Sequence, residues 1–316
     1  MRIVVLDGYT LNPGDLSWDA LKRLGEVTVY ERTSRKELEA RALDADVIMT
    51  NKSVIDKEFI DRARNLKYIG VMATGYNVVD LKAAKENNIV VTNVPSYSTN
   101  SVAQLVFAYM LEFCHGVVEH SEAVKSGKWS DSVDFHFSTR TLRELNGKTL
   151  GIIGYGRIGK AVRNIAIAFG MNVIVNTRTP DISEEGVRFV DMDTVFRQSD
   201  FLTVHCPLFE STRGLVNIQN LSKMKSSAFL INTSRGPVVV EEDLAEALNN
   251  GIIAGAAIDV MTKEPPEKES PLFSAKNIII TPHIAWAPIE SRTRLMEVVV
   301  ENLKAFIDKK KLNVIV

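Results

Sequence analysis

Three charged residues stand a few positions past apolar runs in the second half of the chain. Arg235 lies in Asn232-Thr233-Ser234-Arg235-Gly236, Glu264 in Asp259-Val260-Met261-Thr262-Lys263-Glu264-Pro265, and His283 in Thr281-Pro282-His283-Ile284-Ala285-Trp286. Their types suit the reduction of a carbonyl that sits beside a carboxylate. An imidazole titrates near neutral pH and can hand a proton to a carbonyl oxygen as hydride reaches the carbon. A carboxylate beside it, Glu264, would favour the charged ring and keep that acid loaded. A guanidinium such as Arg235 can grip the substrate carboxylate as a fork and polarise the neighbouring carbonyl. Taken singly, each has a plainer reading: a surface ion pair, a solvated loop acid, a satisfied loop histidine. What groups them is position, since all three follow strands of one predicted sheet, at the carboxyl ends where open α/β sheets place ligands.

Upstream of them, the apolar run 149–153 leads into Gly154-Tyr155-Gly156-Arg157-Ile158-Gly159. Ile158, Val162, Ile165 and Phe169 then recur at i, i+4, i+7 and i+11, one face of a helix. Strand, glycine turn and helix are the context in which G-x-G-x-x-G binds a dinucleotide. Gly154 makes the tight turn, Gly156 lets a pyrophosphate approach the backbone, and Gly159 lets the helix pack on the strand. The helix start offers N–H groups and the positive end of a dipole to the anion. A glycine-rich turn that binds nothing is the alternative. In NAD sites an acid about 20 positions on takes the ribose hydroxyl. Here that region reads Val175-Asn176-Thr177-Arg178-Thr179, with Thr177 lying 18 residues past Gly159 and no acid. Arg178 between Thr177 and Thr179 suits a 2′-phosphate, which favours NADP over NAD. A solvent-exposed arginine with a relaxed cofactor preference is the competing reading.

The elements that must position these groups follow from periodicity. Residues 1–97 alternate short β-branched runs (3–6, 27–30, 47–50, 68–72 and 89–93) with polar helical stretches such as 35–43 and 56–65. That alternation predicts a parallel sheet with helices on both faces. Ala73-Thr74-Gly75-Tyr76-Asn77 follows its fourth strand, and Thr74 and Gly75 offer backbone N–H groups to a small anion; an ordinary turn is equally compatible. A long helix is expected from Ser98 or Thr99 to about Lys125, stopped by Gly127. Residues 126–146 lack periodicity and read as a loop or arm, with core filling the simplest use of Trp129, Phe135, His136 and Phe137. From Thr149 a second α/β unit has strands at 149–153, 172–176, 201–205, 228–232, 252–258 and 278–281, and a helix over 242–250. A last helix, 290–308, returns the chain. The fold class is therefore α/β, two doubly wound parallel-sheet domains. A dinucleotide-binding Rossmann domain, 98–286, is inserted into a flavodoxin-like domain, 1–97 with 287–316, that would bind substrate.

Composition excludes little but points one way. The 316 residues are 45% hydrophobic and 24% charged with net charge −1, so there is no electrostatic case for nucleic acid or an anionic membrane. Cys114 and Cys206 make no disulfide framework and have no metal-ligand spacing, so no metal site is expected. The apolar run after Met1-Arg2 is too short for a signal peptide, and no run reaches spanning length. A soluble cytoplasmic protein is the expectation.

With these motifs in order, the chain resembles the D-isomer-specific 2-hydroxyacid dehydrogenases over essentially its whole length. The resemblance rests on the GYGRIG fingerprint, the His205-Cys206-Pro207-Leu208 turn, the NTSRG and DVxxxEP loops, and PHIAW. Within the family, 7–18 and the 73–77 loop look most like glycerate dehydrogenases, also called hydroxypyruvate reductases. The resemblance implies reduction of a small 2-keto acid, hydroxypyruvate to D-glycerate, with Arg235, Glu264 and His283 as the catalytic set. Thr74, Gly75, Arg235 and His283 would then contact substrate, and His205, Pro207, Thr233 and Asp259 would join the fingerprint in holding cofactor, Asp259 at the nicotinamide amide. It also implies a homodimer formed through the fingerprint domain. The missing acid departs from the NAD-using members. Rival readings are a reductase of glyoxylate or of a D-lactate-type substrate, and a nucleotide-sensing protein akin to corepressors.

Overall fold

The β-branched runs become strands and the polar stretches between them become helices, in two separate units. The computed structural model describes residues 1–181 and 184–316. The chain divides into Met1–Ser98 with Ala287–Val316, and Thr99–Trp286.

The first unit comprises β1 (Arg2–Val5), α1 (Asp19–Lys22), β2 (Glu26–Val29), α2 (Leu38–Ala42), β3 (Val47–Thr50), α3 (Lys57–Arg62), β4 (Tyr68–Val71), α4 (Leu81–Glu86) and β5 (Val90–Thr92). All pairings are parallel, in the order β2-β1-β3-β4-β5, a flavodoxin-like arrangement. Every residue of β3 and β4 is buried, as a strand covered on both faces requires. Asp56 and Asp80 start α3 and α4 by accepting the N–H groups of Phe59 (3.0 Å) and Ala83 (2.9 Å).

In the second unit, α5 (Thr99–His115) and α6 (Val117–Lys125) replace the single long helix expected from the sequence. The axis bends by 51° at Gly116, whose backbone is left-handed at φ +54. Glycine takes that conformation without steric cost, and a Cβ there would lie 2.8 Å from Arg140 Nε. Arg140 pairs with Glu119, and Thr139 N–H donates to His120 Nε2 (3.1 Å), so the arm after α6 folds back along it. The aromatics of that arm do not all fill a core: Phe135 is 88% and Trp129 52% exposed.

The chain continues through β6 (Thr149–Ile153), α7 (Arg157–Ala168), β7 (Asn172–Asn176), β8 (Arg188–Phe189), α8 (Met192–Gln198), β9 (Phe201–Val204), α9 (Ile218–Leu221), β10 (Phe229–Asn232), α10 (Glu241–Asn249), β11 (Gly255–Ile258) and β12 (Ile278–Ile280). The sheet order is β12-β11-β10-β9-β6-β7-β8, all parallel, so strand order reverses between β6 and β9. Two details differ from expectation. The two-residue edge strand β8 was not foreseen, being too short for an alternation signal, and β11 begins at Gly255 because Gly251 turns the chain at φ +67. Alternate residues of β6 serve opposite layers. Leu150 and Ile152 pack with Val106, Met110 and Phe113 of α5 and Val162 of α7, whereas Ile153 packs with Val195, Phe196, Leu230 and Leu244.

The last helix, α11 (Ile289–Ile307), belongs to the first unit. Phe306 meets Tyr68 of β4 with ring centroids 4.9 Å apart. Arg292, 8% exposed, forks onto Asp15 through two 2.7 Å bonds, and this pairing holds the Asp15 carboxyl below its usual range.

Candidate active site

Register alone brings the three catalytic candidates to one edge. Asn232 of β10 is level with Ile258 of β11, and Ile258 with Ile280 of β12. The loops bearing Arg235, Glu264 and His283 therefore leave the sheet side by side. Asn232, fully buried, shapes the first loop: its Oδ1 accepts from Ser234 N–H (3.0 Å) and Oγ (2.8 Å), and its Nδ2 donates to Arg235 O (3.0 Å). Arg235 is left exposed, donating from Nη1 to Ser234 O (2.7 Å). Next to it, a Cβ on Gly236 would stand 2.0 Å from the carbonyl carbon of Met261, so the first and second loops are in backbone contact.

His283 Nδ1 and Glu264 Oε2 are 2.7 Å apart, each side chain about one-third exposed. Glu264 Oε1 accepts from Met261 N–H (3.1 Å), which fixes the carboxylate on the ring. With Nδ1–H donated to Glu264, Nε2 becomes the position that gives or takes a proton. His283 has φ +55, a backbone region that costs a non-glycine residue about 1–3 kcal/mol and persists where its surroundings impose it. Here they do. Asp259, 1% exposed, accepts from Ile284 N–H (2.8 Å), Ala285 N–H (2.8 Å) and Thr281 Oγ1, and Thr281 is bonded in turn to the Tyr109 hydroxyl. Burial holds the Tyr109 phenol well above its usual pKa, so it stays a neutral partner. Asp259 is thus placed as the anchor of the His283 loop.

The fingerprint fits a dinucleotide. Gly154 lies at φ +90, and a Cβ on it would be 2.6 Å from Cys206 N and 2.7 Å from the His205 carbonyl carbon. A Cβ on Gly159 would be 2.5 Å from Gly154 O, so the start of α7 sits directly on the turn. A Cβ on Gly156 would meet nothing within 4 Å, which leaves open the space a pyrophosphate needs against the backbone. Arg157 and Ile158 open α7 beside it. Thr177, Arg178 and Thr179 follow β7, and the Arg178 guanidinium lies 5.2 Å from the centroid of Phe209 in the turn after β9. Thr233 Oγ1 is shielded from solvent and has no hydrogen-bond partner among the described residues, a polar atom left for a ligand.

Other candidates sit differently. His205 turns Nε2 toward Thr203 Oγ1 (2.9 Å), while Nδ1 is shielded and has no partner among the described residues. Burial pushes its pKa down to about 3, which keeps the ring neutral. Pro207, which follows it, is exposed. Thr74 and Gly75 belong to the first unit, past β4; Thr74 Oγ1 donates to Val94 O (2.9 Å) and its carbonyl accepts from Asn93 Nδ2 (2.7 Å). Two residues that organise these loops were not singled out from the sequence. Glu184 accepts from the Tyr155 hydroxyl (2.7 Å) and pairs with Lys160 Nζ (3.3 Å). The tyrosine bond, more than the lysine, holds Glu184 below its usual range. Asp7, buried at the end of β1, accepts the N–H groups of Asn51, Lys52 and Ser53 (2.6–2.7 Å) and organises the turn after β3.

The family model described as D-isomer specific 2-hydroxyacid dehydrogenase, NAD binding domain, matches residues 107–285, more than half of the chain. The chain belongs to this family. A hydroxypyruvate reductase of Blautia hydrogenotrophica is 49% identical to the dehydrogenase, covering 100% of this chain and 99% of that one. The crystal structure of the TT0316 protein from Thermus thermophilus superposes with a TM-score of 0.88 at 36% identity over all of both chains. An acyclic imino acid reductase solved with NADPH and D-Arg superposes with a TM-score of 0.86 at 30% identity, again over all of both chains. The dehydrogenase is an oxidoreductase acting on the CH–OH group of a small hydroxy acid, or on the matching keto group, with a nicotinamide dinucleotide.

Proposed function

We propose that this dehydrogenase reduces hydroxypyruvate to D-glycerate and prefers NADPH to NADH. The observation that carries the reaction is the 2.7 Å His283–Glu264 pair on the same sheet edge as Arg235. The choice of hydroxypyruvate is supported by the 49% identical relative of that name, and the cofactor preference by Arg178 in place of an acid after β7. The bound dinucleotide supplies the hydride. His283 Nε2 gives its proton to the carbonyl oxygen, and Glu264 stabilises the charged ring before transfer. Arg235 forks the substrate carboxylate, and in the first unit the backbone of Thr74 and Gly75 is assigned to substrate. Gly154–Gly159 and Thr233 hold the dinucleotide, with Thr177–Thr179 at its adenosine end and His205 and Pro207 lining the turn beside Gly154. Such an intact proton-transfer pair is superfluous in a nucleotide sensor.

The working form we propose is a cytoplasmic homodimer built on the second unit. Its support is a groove of about 620 Å³ between α5 and α7, lined by Ala103, Phe107, Ala108, Leu111, Ala161 and Ile165, together with the exposed aromatics of the arm. Cys114 and Cys206 are free thiols, as a reducing compartment allows. One assay tests the activity: loss of NADPH and NADH absorbance with hydroxypyruvate, glyoxylate and pyruvate in turn. The highest kcat/KM is expected for NADPH with hydroxypyruvate; a higher value with glyoxylate or pyruvate would move the substrate assignment to that acid, and an NADPH:NADH ratio unaltered by Arg178→Glu would remove the cofactor argument.

A further inference from the structure

Arg178 and Phe209 come from different loops. Arg178 follows β7 and Phe209 follows β9, the two strands that flank β6 and its fingerprint. The guanidinium carbon stands 5.2 Å from the Phe209 ring centroid, within cation–π range. Phe209 is 46% exposed, a large apolar ring held at the surface. Its backbone is tied down: Phe209 N–H donates to Thr212 Oγ1 (2.7 Å), and that hydroxyl donates to Pro207 O (2.7 Å). Among the described residues no carboxylate pairs with Arg178, so its charge remains available to an anion.

We propose that Phe209 is a cofactor-specificity residue that braces Arg178 for the 2′-phosphate of NADPH. The inference rests on the reading of Arg178 as the phosphate ligand. A guanidinium carbon held over an aromatic ring leaves its N–H groups, which the cation–π contact does not consume, to pair bidentately with a phosphate. An arginine held in this way also loses less rotamer freedom when the phosphate arrives. The ring acts through Arg178, so it discriminates between dinucleotides without touching the chemistry.

An exposed cation–π contact corresponds to about a two- to fivefold effect on an equilibrium. In Phe209→Leu, kcat/KM for NADPH is therefore expected to fall about two- to fivefold through KM, with kcat and the NADH constants unchanged. NADPH titrated into the enzyme without substrate, followed by its fluorescence, is expected to show the same loss in Kd. Phe209→Tyr, which keeps the ring, retains the wild-type ratio. In an Arg178→Ala background, Phe209→Leu has no further effect on the ratio. Equal weakening of NADPH and NADH by Phe209→Leu, or an undiminished effect of that change in the Arg178→Ala background, overturns the brace. If Arg178→Ala lowers the NADPH:NADH ratio while Phe209→Leu leaves it alone, the brace fails and the phosphate reading stands. An Arg178→Ala enzyme with the wild-type ratio overturns both.

Discussion

A histidine becomes a directed acid when something fixes which nitrogen faces the substrate. In this dehydrogenase Glu264 fixes Nδ1 of His283, and Asp259 fixes the loop that presents the ring. Replacing His283 with Gln keeps a polar side chain of similar reach but removes the transferable proton, so kcat is expected to fall by about 10²–10⁴ with folding intact. Wild-type turnover in that variant would remove His283 from the mechanism. Glu264→Gln tests the partner of that ring. The amide still accepts from Nδ1–H but carries no charge to balance the imidazolium that donates the proton, so kcat is expected to fall, by less than in His283→Gln. A wild-type kcat would show that Glu264 has no electrostatic part. That the loops of Arg235, Glu264 and His283 leave one sheet edge was legible because each follows a strand end, a rule that needs only local sequence. Their supports were not. Tyr109 and Thr281 are 172 positions apart, and Asn232 bonds to its own loop in a way that residue type does not announce.

At the scale of elements, the site depends on loops after β10, β11 and β12 keeping their spacing. Gly236 is where this is tightest, since a Cβ would fall 2.0 Å from Met261 C, 2.1 Å from its O and 2.4 Å from Thr262 N. All three are backbone atoms, so the loop bearing Arg235 must separate from the one bearing Glu264. Gly236→Ala is expected to cost about 1–3 kcal/mol of stability, the usual penalty of overpacking. It should also lower kcat by at least about tenfold, because displacement by about an ångström is enough to spoil alignment. Calorimetry and steady-state kinetics on one preparation check both; a normal melting transition with normal kcat would show that the loops are not closely packed. Strands and helices of five or more residues were mostly readable from periodicity. The break between α5 and α6 was not, because Gly116 looks like a tolerated helical glycine until Arg140, 24 positions on, occupies the space beside it. The edge strand β8 has two residues, too few for any alternation to register.

For the whole molecule, the two parallel sheets were foreseeable from alternating strands and helices, and the strand reversal between β6 and β9 from the fingerprint's position at the start of its unit. What no pattern announces is how burial sets the protein's response to pH. His205 follows a buried strand, its Nδ1 has no partner among the described residues, and its pKa is lowered from 6.5 to about 3 by desolvation. The unfolded chain takes up this proton as pH falls through 6.5, whereas the folded protein refuses it until about 3. The unfolded state therefore binds more protons throughout that interval, and stability is full above it and declines as pH falls across it. The slope attributable to this one group approaches about 1.4 kcal/mol per pH unit. Carboxylates with lowered pKa, Glu184 and Asp200 among them, add their own acid sensitivity, but theirs begins lower, near their ordinary values of 4.5 and 3.8. Urea unfolding between about pH 5 and about pH 7 isolates the histidine. His205→Asn removes the titrating ring, so whatever it does to stability at neutral pH, the stability of the variant should vary less over this range than that of wild type. Parallel curves would mean that the ring is protonated as readily in the folded protein as in the unfolded chain, and that the pocket beside Gly154 is wetter than its geometry indicates.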